Sequence, residues 1–156
     1  MEQKIITIND KEYKQCAAPF NRVYASKDGW VVSLWKNGQI GEPTKGRINE
    51  HPCPNMRMVE APCKPYKNKH GKICYSKKIN VGQLILLAWV GTPEEAGTDE
   101  LGNIRKTVDH INHNPIDNHL TNLRWASQHE NNLNRRLCKR RIDNIERNDF
   151  QQFMEE

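Results

Sequence analysis

The chain has 156 residues, a net charge of +5, a pI near 9.0 and a mean hydropathy of −0.89. That length fits one domain, or one domain with an arm, and a hydrophobic fraction of 36% leaves only a modest core. The charge points to an anionic partner, the longest apolar run (Val81 to Val90) is far short of the roughly 20 residues that span a bilayer, and five cysteines without a CxxC pair argue against a disulfide scaffold and for a reducing compartment.

The first fifteen residues, MEQKIITINDKEYKQ, hold no apolar stretch of the kind a secretory signal needs. Residues 3–14 predict a β-hairpin that turns at Asn9-Asp10. Strands continue over residues 20–40, where Asp28-Gly29 and Asn37-Gly38 bracket the β-branched and aromatic run Trp30 to Trp35. Tyr24, Trp30 and Trp35 are expected in the core rather than stacked on bases.

Pro43, Pro52, Pro54, Pro62 and Pro65 predict an irregular excursion over residues 41–65, with at most one strand near Met56 to Val59. His51, Cys53, Cys63, His70 and Cys74 invite a structural Zn²⁺, but they lack the short pairwise spacing of such sites, so free thiols are expected. Residues 64–78 contain six lysines and no acid, with a turn expected at His70-Gly71. A lysine-rich hairpin is ordinarily a solvated face. Beside a phosphodiesterase site it becomes an electrostatic footprint for DNA, and Lys67, Lys69, Lys72, Lys77 and Lys78 are then the expected contacts. Residues 79–90 repeat apolar side chains at helical spacing (Val81, Leu84, Ile85, Ala88, Trp89) and predict a buried helix. Residues 91–106 are an acidic connection.

The stretch that organises the rest is VDHINHNPIDNHLTNLRWASQHENNLNRR, residues 108–136. It reads as strand, loop, strand and helix. Val108-Asp109-His110 has the look of a strand end, and Asn112, Asn114-Pro115, Asp117 and Asn118 are turn formers. Leu123 and Trp125 alternate with polar residues as in a half-buried strand, and both are expected in the core. Ser127 with Glu130 fits a capping box at the start of a helix carrying Asn131. His119 and His129 are read as surface residues.

An Asp carboxylate and an Asn carbonyl form a sparse oxygen pair suited to Mg²⁺, which keeps several waters and takes phosphate oxygens as further ligands. Asp109 and Asn131 are the candidate ligands. Neighbouring strand residues point to opposite faces, so His110 can reach that site only where the strand bends into the loop. There it is a candidate general base, since a neutral imidazole takes a proton from water at pH 7. Asn122 is expected to tie the loop through side-chain bonds to backbone.

These residues resemble the HNH (ββα-metal) nucleases, most closely the homing endonucleases of phage introns and intergenic regions. In that family the block reads roughly V-D-H-x-D-G-N-x-x-x-N-x-x-x-N-L-R-W, followed by a helix with Asn. The match runs through Val108, Asp109, His110, Asn114, Asn118, Asn122, Leu123, Arg124, Trp125 and Asn131. The resemblance implies His110 as general base, Asp109 and Asn131 as metal ligands, and Asn122 as the Asn of the motif. The chain departs from the pattern at Asn112-His113, where the family has an acidic residue and Gly, and His113 becomes a rival ligand or phosphate contact.

The expected organisation is α+β: a β-rich DNA-gripping region over 1–80 with the basic hairpin 64–78, a supporting helix and ββα-metal core over 81–136, and a basic helix and tail over 137–156. Arg124, Arg135, Arg136, Lys139 and Arg140 join the lysines as expected DNA contacts. The expected function is a Mg²⁺- or Mn²⁺-dependent DNA endonuclease, monomer or homodimer, acting on double-stranded DNA inside a cell and away from membranes. Two alternatives stand beside it: a non-catalytic DNA-binding protein on the same scaffold, and a restriction or packaging nuclease.

Overall fold

A computed structural model describes residues 2–49 and 56–135. Within them the fold is α+β, with three antiparallel sheets around one short helix. The first sheet is a meander of β1 (Ile5–Ile8), β2 (Lys11–Gln15), β3 (Val23–Ala25) and β4 (Val31–Ser33). Asn9 and Asp10 both adopt positive φ, 51° and 64°, which is the two-residue turn whose twist suits a hairpin. The second sheet joins β5 (Arg47–Asn49), β6 (Met56–Lys67) and β7 (Ile73–Asn80). Helix α1 (Val81–Trp89) follows β7 directly, capped by Asn80, whose Oδ1 accepts the Gly82 N–H at 2.7 Å. After a single helical turn, α2 (Pro93–Ala96), the chain forms β8 (Thr107–His110) and β9 (Leu123–Ala126), then α3, helical over residues 128–135.

The core sits on α1. Val81, Leu84, Ile85 and Leu86 are fully buried, and one apolar cluster joins them to Val23 and Val31 of the first sheet, Ala61 and Ile79 of the second, and Val108, Leu123 and Trp125 of the third. A nine-residue helix is too short to be stable alone, so its helicity depends on this packing from three sides. The consequence for function is positional. The last residue of the β6–β7 ribbon, the first residues of α1 and the end of β8 are brought together at one place.

Three expectations need correction. Strand β6 is twelve residues long and passes through Pro62 and Pro65, and β5 precedes it, so the excursion is more regular than its prolines suggest. β5 pairs only as far as Met58, leaving the outer part of β6 an edge, and the register shifts between Pro62 and Tyr66; an edge and a bulge are where a strand tolerates a residue without an N–H. Trp35 is 56% exposed rather than buried, because the strand stops at Ser33 and a turn at residues 36–38 carries the ring outward. Trp30 is half-buried, packed against the cluster of Tyr13, Tyr24 and Val32 with the ammonium groups of Lys11 and Lys45 5.3 and 5.2 Å from its ring, while Tyr24 is buried as expected. Arg136, Lys139, Arg140, the 137–156 segment, His51 and Cys53 lie outside the described residues.

Candidate active site

The β8–loop–β9–α3 unit is assembled by polar side chains at short sequence separation. β8 and β9 pair in register, Val108 with Trp125, Asp109 with Arg124 and His110 with Leu123. Strand alternation puts Val108 and His110 on the side of α1 and Asp109 on the other. The loop between the strands is closed by Asn122, whose Oδ1 accepts the Asn112 N–H (2.8 Å) while its Nδ2 donates to the Asp117 carbonyl (2.8 Å). Both ends of one buried amide are therefore used on loop backbone, as its position in the sequence suggested. The Asp117 carboxylate accepts from His119 and Asn112, and these bonds, the one from His119 foremost, hold it below the usual carboxylate range. His113 has φ 65°, the left-handed region that glycine enters most easily.

Ser127 and Glu130 make the reciprocal capping box: the Glu130 N–H donates to Ser127 Oγ (3.1 Å) and the Ser127 N–H to Glu130 Oε1 (3.0 Å). Ser127 Oγ also donates to buried Asp99, which accepts the Leu101 and Asn103 N–H groups as well. These bonds, Ser127 first, pull Asp99 down to about 2 against the opposing effect of burial. Arg105 braces Glu130 at 3.0 Å. The start of α3 is thus fixed to the connection before β8, and Asn131 and Asn134 of α3 reach the strand.

Asp109, His110 and Asn131 all line one cleft of about 830 Å³, together with Lys78, Asn80, Gln83, Lys106, His113, Gln128, Asn134 and Arg135. Asp109 is 2% exposed and its two oxygens are each engaged: Oδ2 accepts from Arg124 Nε (2.7 Å) and Oδ1 from Asn134 Nδ2 (2.9 Å). Asn131 donates its Nδ2 to the Val108 carbonyl (3.3 Å), which leaves Oδ1 as the atom with lone pairs to offer. His110, 9% exposed, bonds through Nε2 to Asn118 Oδ1 at 2.9 Å.

Does this donor set fit a hard divalent cation? Asp109 and Asn131 offer one carboxylate and one amide oxygen in the same cleft, and each carboxylate oxygen keeps a lone pair beyond its present bond. Among the described residues no group of three or more His, Cys, Asp or Glu forms a metal cage. A two-ligand oxygen site completed by water and phosphate is how Mg²⁺ is usually held, so the residues fit.

The expected DNA contacts divide. Lys78 and Arg135 line the cleft. Lys67, Lys69 and Lys72 lie at the far end of the β6–β7 ribbon, where the turn at residues 68–71 takes the Asn68 Oδ1 as acceptor for the His70 and Lys72 N–H groups. From Asn80 at the cleft to Ile73 is seven residues of strand, roughly 23 Å at ~3.3 Å each. Lys77 lies between, exposed on β7. Arg124 uses its Nε on Asp109, and its side chain is 52% exposed. The sequence reading missed Lys106, Asn118 and Asn134 as site residues. Asn134 was findable, since it stands three residues after Asn131 on the same helix face. Lys106 had no signal, ending an acidic connection.

No helix among the described residues is long and apolar enough to cross a membrane. Compared with protein-family models, with curated proteins and with solved structures, the chain finds no match in any of the three.

Proposed function

We propose that the chain is an HNH-type DNA endonuclease dependent on Mg²⁺ or Mn²⁺, of the phage homing kind, that hydrolyses phosphodiester bonds in double-stranded DNA with His110 as general base. The observation that carries the reading is that Asp109, His110 and Asn131 line one cleft at the end of β8, together with Lys78, Lys106 and Arg135. Asp109 and Asn131 would hold the metal ion, which supplies Lewis-acid stabilisation of charge on the phosphate. His110 takes a proton from water as the water oxygen bonds to phosphorus, and the bond to the leaving sugar oxygen breaks. The cations along the cleft hold the phosphodiester backbone, and the ribbon lysines extend that grip along the duplex. Asn122 fixes the loop that separates the two strands. His113 adopts the conformation that the family's glycine would occupy, so the loop keeps its turn although the residue differs.

A second reading has one observation in its favour. Both oxygens of Asp109 are already bound by Arg124 and Asn134, which suits a structural carboxylate in a DNA-binding protein without catalysis. Conversion of supercoiled plasmid to open-circle or linear DNA decides between them. Metal-dependent nicking that stops with EDTA and in His110→Ala supports the enzyme. Binding without nicking, on plasmid and on phage genomic DNA alike, supports the second reading.

A further inference from the structure

We infer that Asn118 is a positioning residue that fixes the tautomer of His110, so that the ring presents Nδ1 as its proton-accepting nitrogen. Asn118 is 3% exposed and lies in the loop between β8 and β9, eight residues from His110. Its Oδ1 meets His110 Nε2 at 2.9 Å. A carbonyl oxygen can only accept, so the hydrogen on this bond belongs to Nε2, and a neutral ring with Nε2 protonated carries its lone pair on Nδ1. His110 lines the same cleft as Asp109 and Asn131.

The packing around Asn118 supports a dedicated role. Its Nδ2 is, among the described residues, the one buried side-chain polar atom without a hydrogen-bond partner. A buried donor left unmatched destabilises a fold, so Asn118 is a poor choice for stability alone, whereas an apolar residue of similar size would carry no such cost. The side chain is also held in place from two distant parts of the chain. A Cβ added at Gly82 on α1 would stand 3.2 Å from Asn118 Oδ1, and one at Gly29, in the β3–β4 turn, 3.6 Å from Asn118 Cβ. Beside it the Leu120 N–H donates to the Lys27 carbonyl at 2.8 Å, tying the same turn to the same loop. The N-terminal sheet and the central helix thus both bear on the partner of the base, without either reaching the cleft through that contact.

The catalytic part of this inference rests on the nuclease reading; the tautomer does not. The test uses the full chain, ¹⁵N-labelled at histidine, at a pH where the ring is neutral, with His110→Ala to assign the signals. The native protein should show a protonated Nε2 and an unprotonated Nδ1 at His110. In Asn118→Leu that pattern should be lost and the plasmid-nicking rate constant should fall at unchanged KM by about 10–10²-fold, the scale found when a metal-bound histidine loses its hydrogen-bond partner. Leucine removes the unmatched Nδ2 but also leaves His110 Nε2 without its acceptor, so the melting temperature should change little. The ring pattern, which a merely structural Asn would not move, is the deciding readout. Asn118→Asp, whose carboxylate accepts the same N–H, should keep the tautomer and most of the rate. A protonated Nδ1 in the native chain overturns the inference, as does an altered ring in Asn118→Leu with nicking unchanged. If the native chain nicks no DNA but its ring pattern changes as described, the tautomer assignment stands and the nuclease reading falls.

Discussion

Along the outer β6–β7 ribbon, residues 64–73 are exposed apart from Asn68, and their polar contacts are mostly with the turn itself. In the β8–β9–α3 unit the opposite holds: Asp109, His110, Asn118, Asn122 and Ser127 are all buried, and each has a named partner across a strand, a loop or a helix end. Both regions are polar, yet they use polarity differently. The ribbon's lysines act through the summed field on a polyanion, so no one of them has to be placed accurately. The unit's groups act through single directed bonds, so each must be. A substitution in the ribbon should therefore change how binding depends on salt, and one in the unit should change chemistry or stability at fixed salt.

The largest expected effect is at His110. His110→Ala should lower the nicking rate about 10²–10⁴-fold, the range for loss of a general base, with DNA affinity at a given salt concentration nearly unchanged. Equal rates for native and variant would remove His110 from the mechanism. Next comes Asn122→Ala, which leaves the Asn112 N–H and the Asp117 carbonyl without their present partner. Chemical denaturation should show a loss of about 1–3 kcal/mol, the cost of stranding partly buried polar groups. A loss below that range would mean that water replaces the side chain and the loop needs no tie.

Asp99 sharpens the same contrast through pH. Its carboxyl is pulled from 3.8 to about 2 in the folded chain, chiefly by the hydrogen bond from Ser127. A group depressed on folding contributes stability above its unfolded value and loses it as pH falls through the folded one. The contribution is thus present above about pH 4 and is lost as pH falls toward 2. Asp99→Asn should flatten the acid limb of the stability curve in that window, and an unchanged limb would assign it to other carboxylates.

The ribbon makes the complementary prediction. Neutralising two of Lys67, Lys69 and Lys72 should reduce the slope of log affinity against log salt by about two units while leaving the nicking rate at saturating DNA unchanged. An unchanged slope would return the ribbon tip to an ordinary solvated surface.

How much of this was legible beforehand follows the same division. The capping box of Ser127 and Glu130, the closing role of Asn122, the Asn9-Asp10 turn and the burial of Leu123 and Trp125 all follow from local residue chemistry, and the structure contains each of them. What was not legible depends on pairing at a distance. The prolines of β6 are harmless only because β5 ends where it does, and Trp35 is exposed only because β4 is short. The bonds from Arg124 and Asn134 to Asp109 and from His110 to Asn118 join residues 8–25 apart, which no periodicity brings together. Arg124 was read as a DNA contact, and the bond from its Nε to buried Asp109 is one that neither its charge nor its place in the motif specifies.

The smallest effect tests a single backbone angle. His113 stands at φ 65°, where a side chain with a Cβ is strained and glycine is not. His113→Gly should therefore stabilise the chain by about 0.5–1 kcal/mol, after the greater freedom that glycine has when unfolded is set against the strain removed. The imidazole is exposed and also lines the cleft, so the same variant asks whether it touches the substrate. A more stable protein with unchanged nicking would make His113 a loop residue that merely tolerates a glycine conformation. A more stable protein that nicks more slowly would make it a phosphate contact kept at the expense of the fold. In that case one residue of the directed-bond region would act on DNA as the ribbon's lysines do, and the line between the two regions would run through the loop rather than along its edge.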